Sequence, residues 1–369
     1  MSIVFRSFLQ DRILHLLLVL GALLFIWSDV RISDLPQAVD WHTIITLTGL
    51  LLLTKGLENS GYFDVLGARL MGRFHHERAL ALFMVLAAAL LSTFLTNDVA
   101  LFILVPLTLT LRKYSRLPLG RLIIFEALAV NAGSLLTPVG NPQNILLWSQ
   151  SGAGVASFIW QMLPLFTVLL LTLMALTWWS FPARTIEKHT AQASPAWQKP
   201  LFMTSLALYL LFIVALEWHL TGAVLLLIFA CYLVIARQVL LHIDWSLLLV
   251  FIVMFIDVRL LTGLPLLQAH FSAVSQLGQG GVYLLAIALS QVISNVPTTI
   301  LLLQKLPPSE VLAWAVNIGG FGLLPGSLAN LIALRMAQDR RVWWQFHLFS
   351  VPMLAWAMLV GWGLLQLFS

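Results

Sequence analysis

Two hydrophobic stretches of this chain are interrupted by a polar tripeptide, and two others by a run rich in glycine, proline and asparagine. The tripeptides are Thr96, Asn97, Asp98 and Ser294, Asn295, Val296. The runs are NAGSLLTPVGNPQN from Asn131 to Asn144 and NIGGFGLLPGSLAN from Asn317 to Asn330. These residue types suit the binding of ions rather than covalent catalysis. An asparagine amide offers both donors and an acceptor, and has no charge to desolvate. A helix broken at Thr137, Pro138, Gly140, Asn141 and Pro142, or at Pro325, Gly326 and Ser327, frees N–H groups for an anion and carbonyls for a cation. The candidate binding residues are Thr96, Asn97, Asp98, Asn131, Thr137, Gly140, Asn141 and Asn144 in the first half. In the second half they are Ser294, Asn295, Asn317, Gly326, Ser327 and Asn330. A single break reads equally well as a packing kink with cross-helix amide bonds. Four breaks in two matched pairs do not.

Among these residues only Asp98 is an acid, and its counterpart is the neutral Val296. An acid at membrane depth is a functional candidate by default. Asp98 is therefore expected to hold a coupling Na+ or H+, with a Na+ position near Asn97, Asp98 and Asn144; no other cofactor or metal is expected. A salt-bridged or solvated structural aspartate is the alternative. Glu126 reads as interfacial, one turn into its span. Lys55 and Arg259 lie near span ends, where snorkelling explains them, and their matched positions leave a pairing role open. Asp257 is two residues from Arg259, which is not a same-face helical spacing.

The elements that must position these residues are membrane helices. Of the 369 residues 60% are hydrophobic and 9% charged, and the mean hydropathy is +0.95. A soluble domain carries about a quarter charged residues. Apolar runs long enough to cross a bilayer recur along the chain, without the short alternating segments of a membrane barrel. The fold class expected is an all-α membrane protein, a polytopic helical bundle embedded in the lipid bilayer. Nine spans are expected, at 13–29, 41–59, 122–148, 158–181, 201–217, 220–236, 244–263, 310–334 and 343–367. The apolar start is kept as the first span because no small-residue cleavage site follows it. The single cysteine, Cys231, reads as a buried hydrophobe. Tryptophans near span ends (Trp41, Trp148, Trp178, Trp179, Trp245, Trp343, Trp344) read as interfacial anchors.

Two segments do not fit as plain spans, 79–112 and 271–305. The first would make a helix of about 50 Å, too long to cross once and too short to cross twice. Arg73 and Arg78 precede it, and Arg112, Lys113 and Arg116 follow it. Both segments are expected to be re-entrant hairpins, although residues 281–303 of the second could by themselves make a plain span. With the N-terminus cytoplasmic, that arrangement leaves only Arg31, Arg259 and Lys305 of the 20 Lys and Arg outside. The C-terminus is then periplasmic. The basic residues are spread between spans, so the net charge of +5 does not suggest nucleic acid.

The halves repeat. Asp40 and Trp41 match Asp244 and Trp245, and Lys55 matches Arg259, at an offset of 204. Asn97 matches Asn295 at 198, and Asn131, Gly133, Gly140 and Asn144 match Asn317, Gly319, Gly326 and Asn330 at 186. The expected organisation is a first repeat over 1–181, a cytoplasmic linker over 182–200, and a second repeat of inverted topology over 201–369. Inverted repeats mark secondary transporters and put equivalent breaks near the bilayer midplane.

These features together resemble the ion transporter superfamily, which includes arsenite permeases, citrate–metal symporters, divalent anion/sodium symporters and some sodium/proton antiporters. The likeness runs from Asp40 to Arg335 and is most specific in LTNDVALFILVP, LTPVGNPQN and ISNVPTT. The divalent-anion branch carries Ser-Asn-Thr at its tips. Here the asparagine is present, the third-position threonine is not, and the Asn-Asp tip is more like the arsenite and citrate branches. The resemblance implies a bacterial inner-membrane permease that moves a small inorganic or organic ion by an elevator-like or rocking motion. The function expected is proton- or sodium-coupled transport of a small anion or oxyanion; a cation/proton antiporter is the alternative. A homodimer is left open. A passive channel is a weaker reading, and an intramembrane enzyme weaker still, because no HExxH, GxSxG or paired-Asp motif is present. The absence of a Walker A motif excludes ATP hydrolysis by this chain.

Overall fold

The computed structural model describes residues 8–9, 11–187, 196–217, 220–265 and 272–368. Residues 188–195 of the expected linker and residue 271 of the second hairpin segment lie outside the described residues. Among the described residues there are eighteen α-helices, and β-pairing is limited to one bridge between His76 and Thr185. The first half holds α1 (Arg12–Trp27), α2 (Leu35–Ala38), α3 (Trp41–Asn59), α4 (Tyr62–Arg73), α5 (Glu77–Phe94), α6 (Asn97–Thr110), α7 (Leu119–Ser134), α8 (Pro142–Ser151) and α9 (Val155–Ser180). The second holds α10 (Lys199–Glu217), α11 (Thr221–Ile235), α12 (Arg237–Leu241), α13 (Trp245–Thr262), α14 (Gln279–Ile293), α15 (Asn295–Leu303), α16 (Glu310–Ile318), α17 (Leu328–Ala337) and α18 (Arg340–Phe368).

Four of these helices, α5, α9, α13 and α18, are long and apolar enough to cross a membrane by themselves. Others expected as full spans are shorter, among them α1 and α11. The apolar surface continues beyond the long helices. Ile26, Trp160, Leu171, Val234 and Leu359 are all exposed. Exposure of so many large side chains suits lipid and not water.

The chain divides into two compact units that cut across the sequence halves. The first comprises Met1–Val65 and Ser194–Ser272, the second Leu66–Ala193 and Ala273–Ser369. In the first unit, α1 packs on α13, and α3 packs on α10 and α11. The matched Asp-Trp pairs do the same work in each half. Asp40 Oδ1 accepts from the Thr43 N–H at 3.1 Å and Asp244 Oδ1 from the Leu247 N–H at 3.0 Å, each capping a helix N-terminus. Trp41 Nε1 donates to Pro36 O at 2.8 Å and Trp245 Nε1 to Leu240 O at 3.0 Å. Trp148 Nε1 likewise donates to Ala153 O at 2.8 Å. Three of the expected interfacial tryptophans thus fix local turns.

The second unit contains both hairpins and both broken helices. In each hairpin the two helices pack on each other, α5 with α6 and α14 with α15. The 122–148 span is α7, a break and α8; the 310–334 span is α16, a break and α17. The packing is reciprocal. The α5 helix lies on α7 as α14 lies on α16, while α6 reaches across to α17 and α15 reaches across to α8. The α9 and α18 helices pack on each other and each on both α7 and α16. This exchange of partners is what a two-fold axis between the halves would produce.

Close approach of α5 and α7 depends on Gly133. A Cβ built there would stand 2.0 Å from Ala89 O and 2.4 Å from Ser92 Oγ, so any side chain would separate the helices. Gly133→Leu is expected to destabilise the protein by about 3 kcal/mol or more, beyond the usual cost of overpacking because the obstacle is main chain. Gly72→Ala, with nothing within 4 Å of the added carbon, should leave stability unchanged or raise it by at most about 1 kcal/mol. Thermal unfolding in detergent measures both; equal melting temperatures for the two variants would contradict this packing.

Candidate functional site

The hairpin tips are helix N-termini. Thr96 caps α6, its Oγ1 accepting from the Val99 N–H at 3.4 Å. Asn97 opens the helix, and its Oδ1 accepts from the Asp98 N–H at 2.9 Å. The Asn97 N–H itself donates to Gly140 O at 2.9 Å, which ties the first tip to the first break. In the second hairpin a single residue, Ser294, turns the chain between α14 and α15. It does so at φ +72, a conformation costly for any residue with a Cβ. Ser294 Oγ donates to Asn295 Oδ1 at 3.4 Å.

The breaks are satisfied by side-chain amides that join the two halves. Asn131 Nδ2 donates to Asn330 Oδ1 at 2.8 Å, and Asn330 Nδ2 donates to Gly320 O at 2.9 Å. Asn317 Oδ1 accepts from Asn141 Nδ2 at 2.9 Å, while Asn317 Nδ2 donates to Asn144 Oδ1 at 2.7 Å. Asn141 also caps α8 through the Asn144 N–H at 2.9 Å, and Asn144 Nδ2 reaches Ser134 O, Leu135 O and Thr137 O at 3.0–3.2 Å. Thr137 Oγ1 donates to Thr93 O at 2.6 Å. The side chains of Asn97, Asn131, Asn141, Asn144, Asn295, Asn317 and Asn330 are all buried. Gly140 and Gly326 are pressed against main chain, Gly140 on Ser134 O and Gly326 on Gly319 O, where a Cβ would stand 2.1 and 2.6 Å away. Ser327, buried at the start of α17, makes no side-chain capping bond there. The α17 cap therefore differs from the Asn141 cap of α8.

The structure adds residues that the sequence reading passed over. Ser92 and Ser290 face Gly133 and Gly319, where an added Cβ would stand 2.4 Å from Ser92 Oγ and 2.6 Å from Ser290 Oγ. The next residues, Thr93 and Gln291, bond the same two carbonyls: Thr93 Oγ1 to Gly133 O at 3.1 Å and Gln291 Nε2 to Gly319 O at 2.8 Å. Both pairs are separated by 198, the offset that relates Asn97 to Asn295. That offset, extended five residues upstream, would have found them. Gln143 joins the network too, donating to Asn317 Oδ1 at 3.4 Å.

Three polar atoms in this region are buried with no hydrogen-bond partner in the protein: Asp98 Oδ1, Gln143 Oε1 and Thr298 Oγ1. Of the residues expected near a Na+, Asn144 has its amide fully engaged and Asn97 Oδ1 holds a main-chain N–H, so Asp98 supplies the uncommitted oxygen. Glu126, expected one turn into its span, is enclosed by protein. It is fully buried, and its Oε1 accepts from Thr108 Oγ1 at 2.5 Å. Lys55 pairs with Glu58 at 3.0 Å, while its match Arg259 is exposed, so the matched basic residues do not share a structural role. Asp257 in the first unit is buried, and a Cβ on Gly21 would stand 2.4 Å from its Oδ1. Among the described residues no three His, Cys, Asp or Glu side chains gather as a metal site.

Asn317 both donates and accepts, so an isosteric acid tests the network. In Asn317→Asp, the oxygen replacing Nδ2 would face Asn144 Oδ1 and Ala313 O, acceptor against acceptor. A loss of about 2–5 kcal/mol is expected for buried groups left unpaired. It should be visible as a lowered melting temperature, and an unchanged melting temperature would contradict the assigned bonds.

Comparison with known proteins agrees with this arrangement. The citrate transporter family, CitMHS, matches residues 10–306. The chain is 59% identical over 366 residues to Inner membrane protein YbiR of Escherichia coli (strain K12), covering 99% of this chain and 98% of that protein. It is 29% identical over 334 residues to an uncharacterized transporter of Methanocaldococcus jannaschii, covering 89% and 90%. A shorter likeness, 31% over 147 residues, is to Silicon efflux transporter LSI3 of Oryza sativa subsp. japonica, covering 40% of this chain and 30% of that protein. A match over most of its length, on a helical chain whose broken segments are cross-linked by buried amides, makes this protein a member of the citrate transporter family, a family of membrane transporters.

Proposed function

We propose that this protein is a secondary active transporter that moves a small anion or oxyanion across the bacterial inner membrane, coupled to a proton or sodium gradient. The observation that carries this reading is the set of four helix N-termini gathered around the neutral amide network. They belong to α6, α8, α15 and α17, which begin at Asn97, Pro142, Asn295 and Leu328. Each N-terminus presents the positive end of a helix dipole, and together they suit an anion without a lysine or arginine at the site. The candidate ligands are Thr96, Asn97, Asn131, Thr137, Gly140, Asn141 and Asn144, with Ser294, Asn295, Asn317, Gly326, Ser327 and Asn330. The family description and the name of the Escherichia coli relative support transport and an inner-membrane location.

Asp98 is assigned the coupling ion, because its buried Oδ1 has no protein partner and lies in the first turn of α6. The same oxygen favours a second reading, exchange of a cation for protons with Asp98 as the shared site. The two inverted halves would exchange the exposure of the site between the two faces of the membrane.

Uptake into liposomes under imposed proton or sodium gradients, screened over small organic and inorganic anions, tests this function. The wild type should show saturable, gradient-driven uptake, and Asp98→Asn should abolish the gradient dependence while sparing exchange of substrate down its own gradient. Cation movement with no anion dependence would select the antiport reading; gradient-independent, non-saturating flux would reject both. A reporter fused after Ser369 should report a periplasmic C-terminus, and a cytoplasmic one would overturn the proposed orientation.

A further inference from the structure

The second break is fastened to two helices by side chains that hold three consecutive main-chain N–H groups. Gly322 donates to Ser350 Oγ at 2.8 Å, Leu323 to Gln291 Oε1 at 2.7 Å and Leu324 to His347 Nε2 at 3.3 Å. Gln291 belongs to α14, and His347 and Ser350 to α18. The turn also needs Gly322 at φ +97, with a Cβ there only 2.5 Å from Gln291 Oε1. The clamp therefore holds a segment that has few other ways to settle.

One member of the clamp can titrate. The other nitrogen of His347, Nδ1, lies 2.8 Å from Trp343 O. A carbonyl oxygen only accepts, so Nδ1 carries the hydrogen, and a neutral ring then has a bare Nε2 to accept from Leu324. Both bonds exist together only in the neutral imidazole. A second proton on Nε2 would set N–H against N–H and break the bond to Leu324. Neither Leu323 nor His347 is fully buried.

Charged groups elsewhere do not take over the role. The helices packed on α18 carry Arg121 and Glu126 on α7, Glu310 on α16 and Arg335 on α17, while α9 carries none. Arg121 Nη1 donates to Ser180 O at 2.7 Å and Glu126 accepts from Thr108. The α14 helix, which supplies Gln291, has no ionisable side chain except Tyr283, whose hydroxyl donates to Met358 O at 2.9 Å. On α18 itself the basic residues are Arg340 and Arg341 at its start. Among the described residues no carboxylate forms an ion pair with the imidazole.

The first break has no such member. Its Leu136 N–H donates to Gly133 O and its Gly140 N–H to Thr137 O, both within its own main chain. The α9 helix, which stands where α18 stands in the other half, contains no histidine or acid.

We propose that His347 is a positioning residue for transport: neutral, it seats Leu324, just ahead of Ser327 and the start of α17; protonated, it releases Leu324. The proposal rests on the breaks being the transport site. Its consequence is a second half that loosens in acid while the first half does not.

Amide hydrogen exchange of the full-length protein in lipid nanodiscs tests this without transport or substrate. Protection factors, corrected for the intrinsic effect of pH, are compared at about pH 8 and about pH 5.5. In the wild type, Leu324 should lose about tenfold in protection at the lower pH, and Leu136 and Gly140 should not change. His347→Gln, which keeps an acceptor but cannot titrate, should stay protected at both values. Unchanged wild-type protection, or the same acid loss in His347→Gln, would overturn the proposal. If exchange behaves as stated but the uptake assay shows no transport, the transport reading fails and the latch remains.

Discussion

Lipid offers no hydrogen bonds, and that constraint governs this protein more than any single contact. A chain that interrupts its helices at membrane depth must supply every donor and acceptor it frees. Here the supply comes from asparagine amides that span the two halves: Asn131 to Asn330, and Asn141 and Asn144 to Asn317. An amide serves this purpose because it gives and receives at once, so a short chain of amides can close on itself without burying a charge. Glycines at the breaks let main chain come against main chain, and the reciprocal packing of hairpins and broken helices follows from those contacts.

Equivalence between the halves is close in the framework and loose in the chemistry. The Asp-Trp caps, the serines facing Gly133 and Gly319, and the bonds from Thr93 and Gln291 repeat almost residue for residue. The differences lie at residues proposed to hold the substrate and the coupling ion. Asp98 has Val296 as its counterpart, Asn141 caps its helix where Ser327 does not, and Ser294 turns at a positive φ where Leu95 and Thr96 remain extended. In the proposed transport cycle, near-equal halves with unlike tips would let one site be presented to two sides without the two presentations being the same.

Much of the architecture was legible in the sequence, because composition and helix breakers are local signals. Tips at Asn97 and Asn295, and breaks between Asn131 and Asn144 and between Asn317 and Asn330, follow from residues that lipid-buried helix does not tolerate. Side-chain reach was not legible. Nothing local distinguishes Gln291 from a surface glutamine, nor shows that Glu126 is enclosed by protein beside Thr108. Trp41 and Trp245 lie near helix starts as anchors would, and their indole N–H groups also close turns that their positions alone do not show. The division into compact units was also hidden, since each unit draws on both halves.

That division bears on how the protein is made. Asn131 and Asn330 are 199 residues apart, and Asn141 and Asn317 are 176 apart. During synthesis the first set of amides must enter the bilayer long before its partners exist. Until then water, the insertion machinery or transient neighbours must keep those polar groups company. Completion of the second hairpin and its broken helix is therefore the step at which the earlier half can settle, and truncation before it should leave a chain that inserts but does not mature.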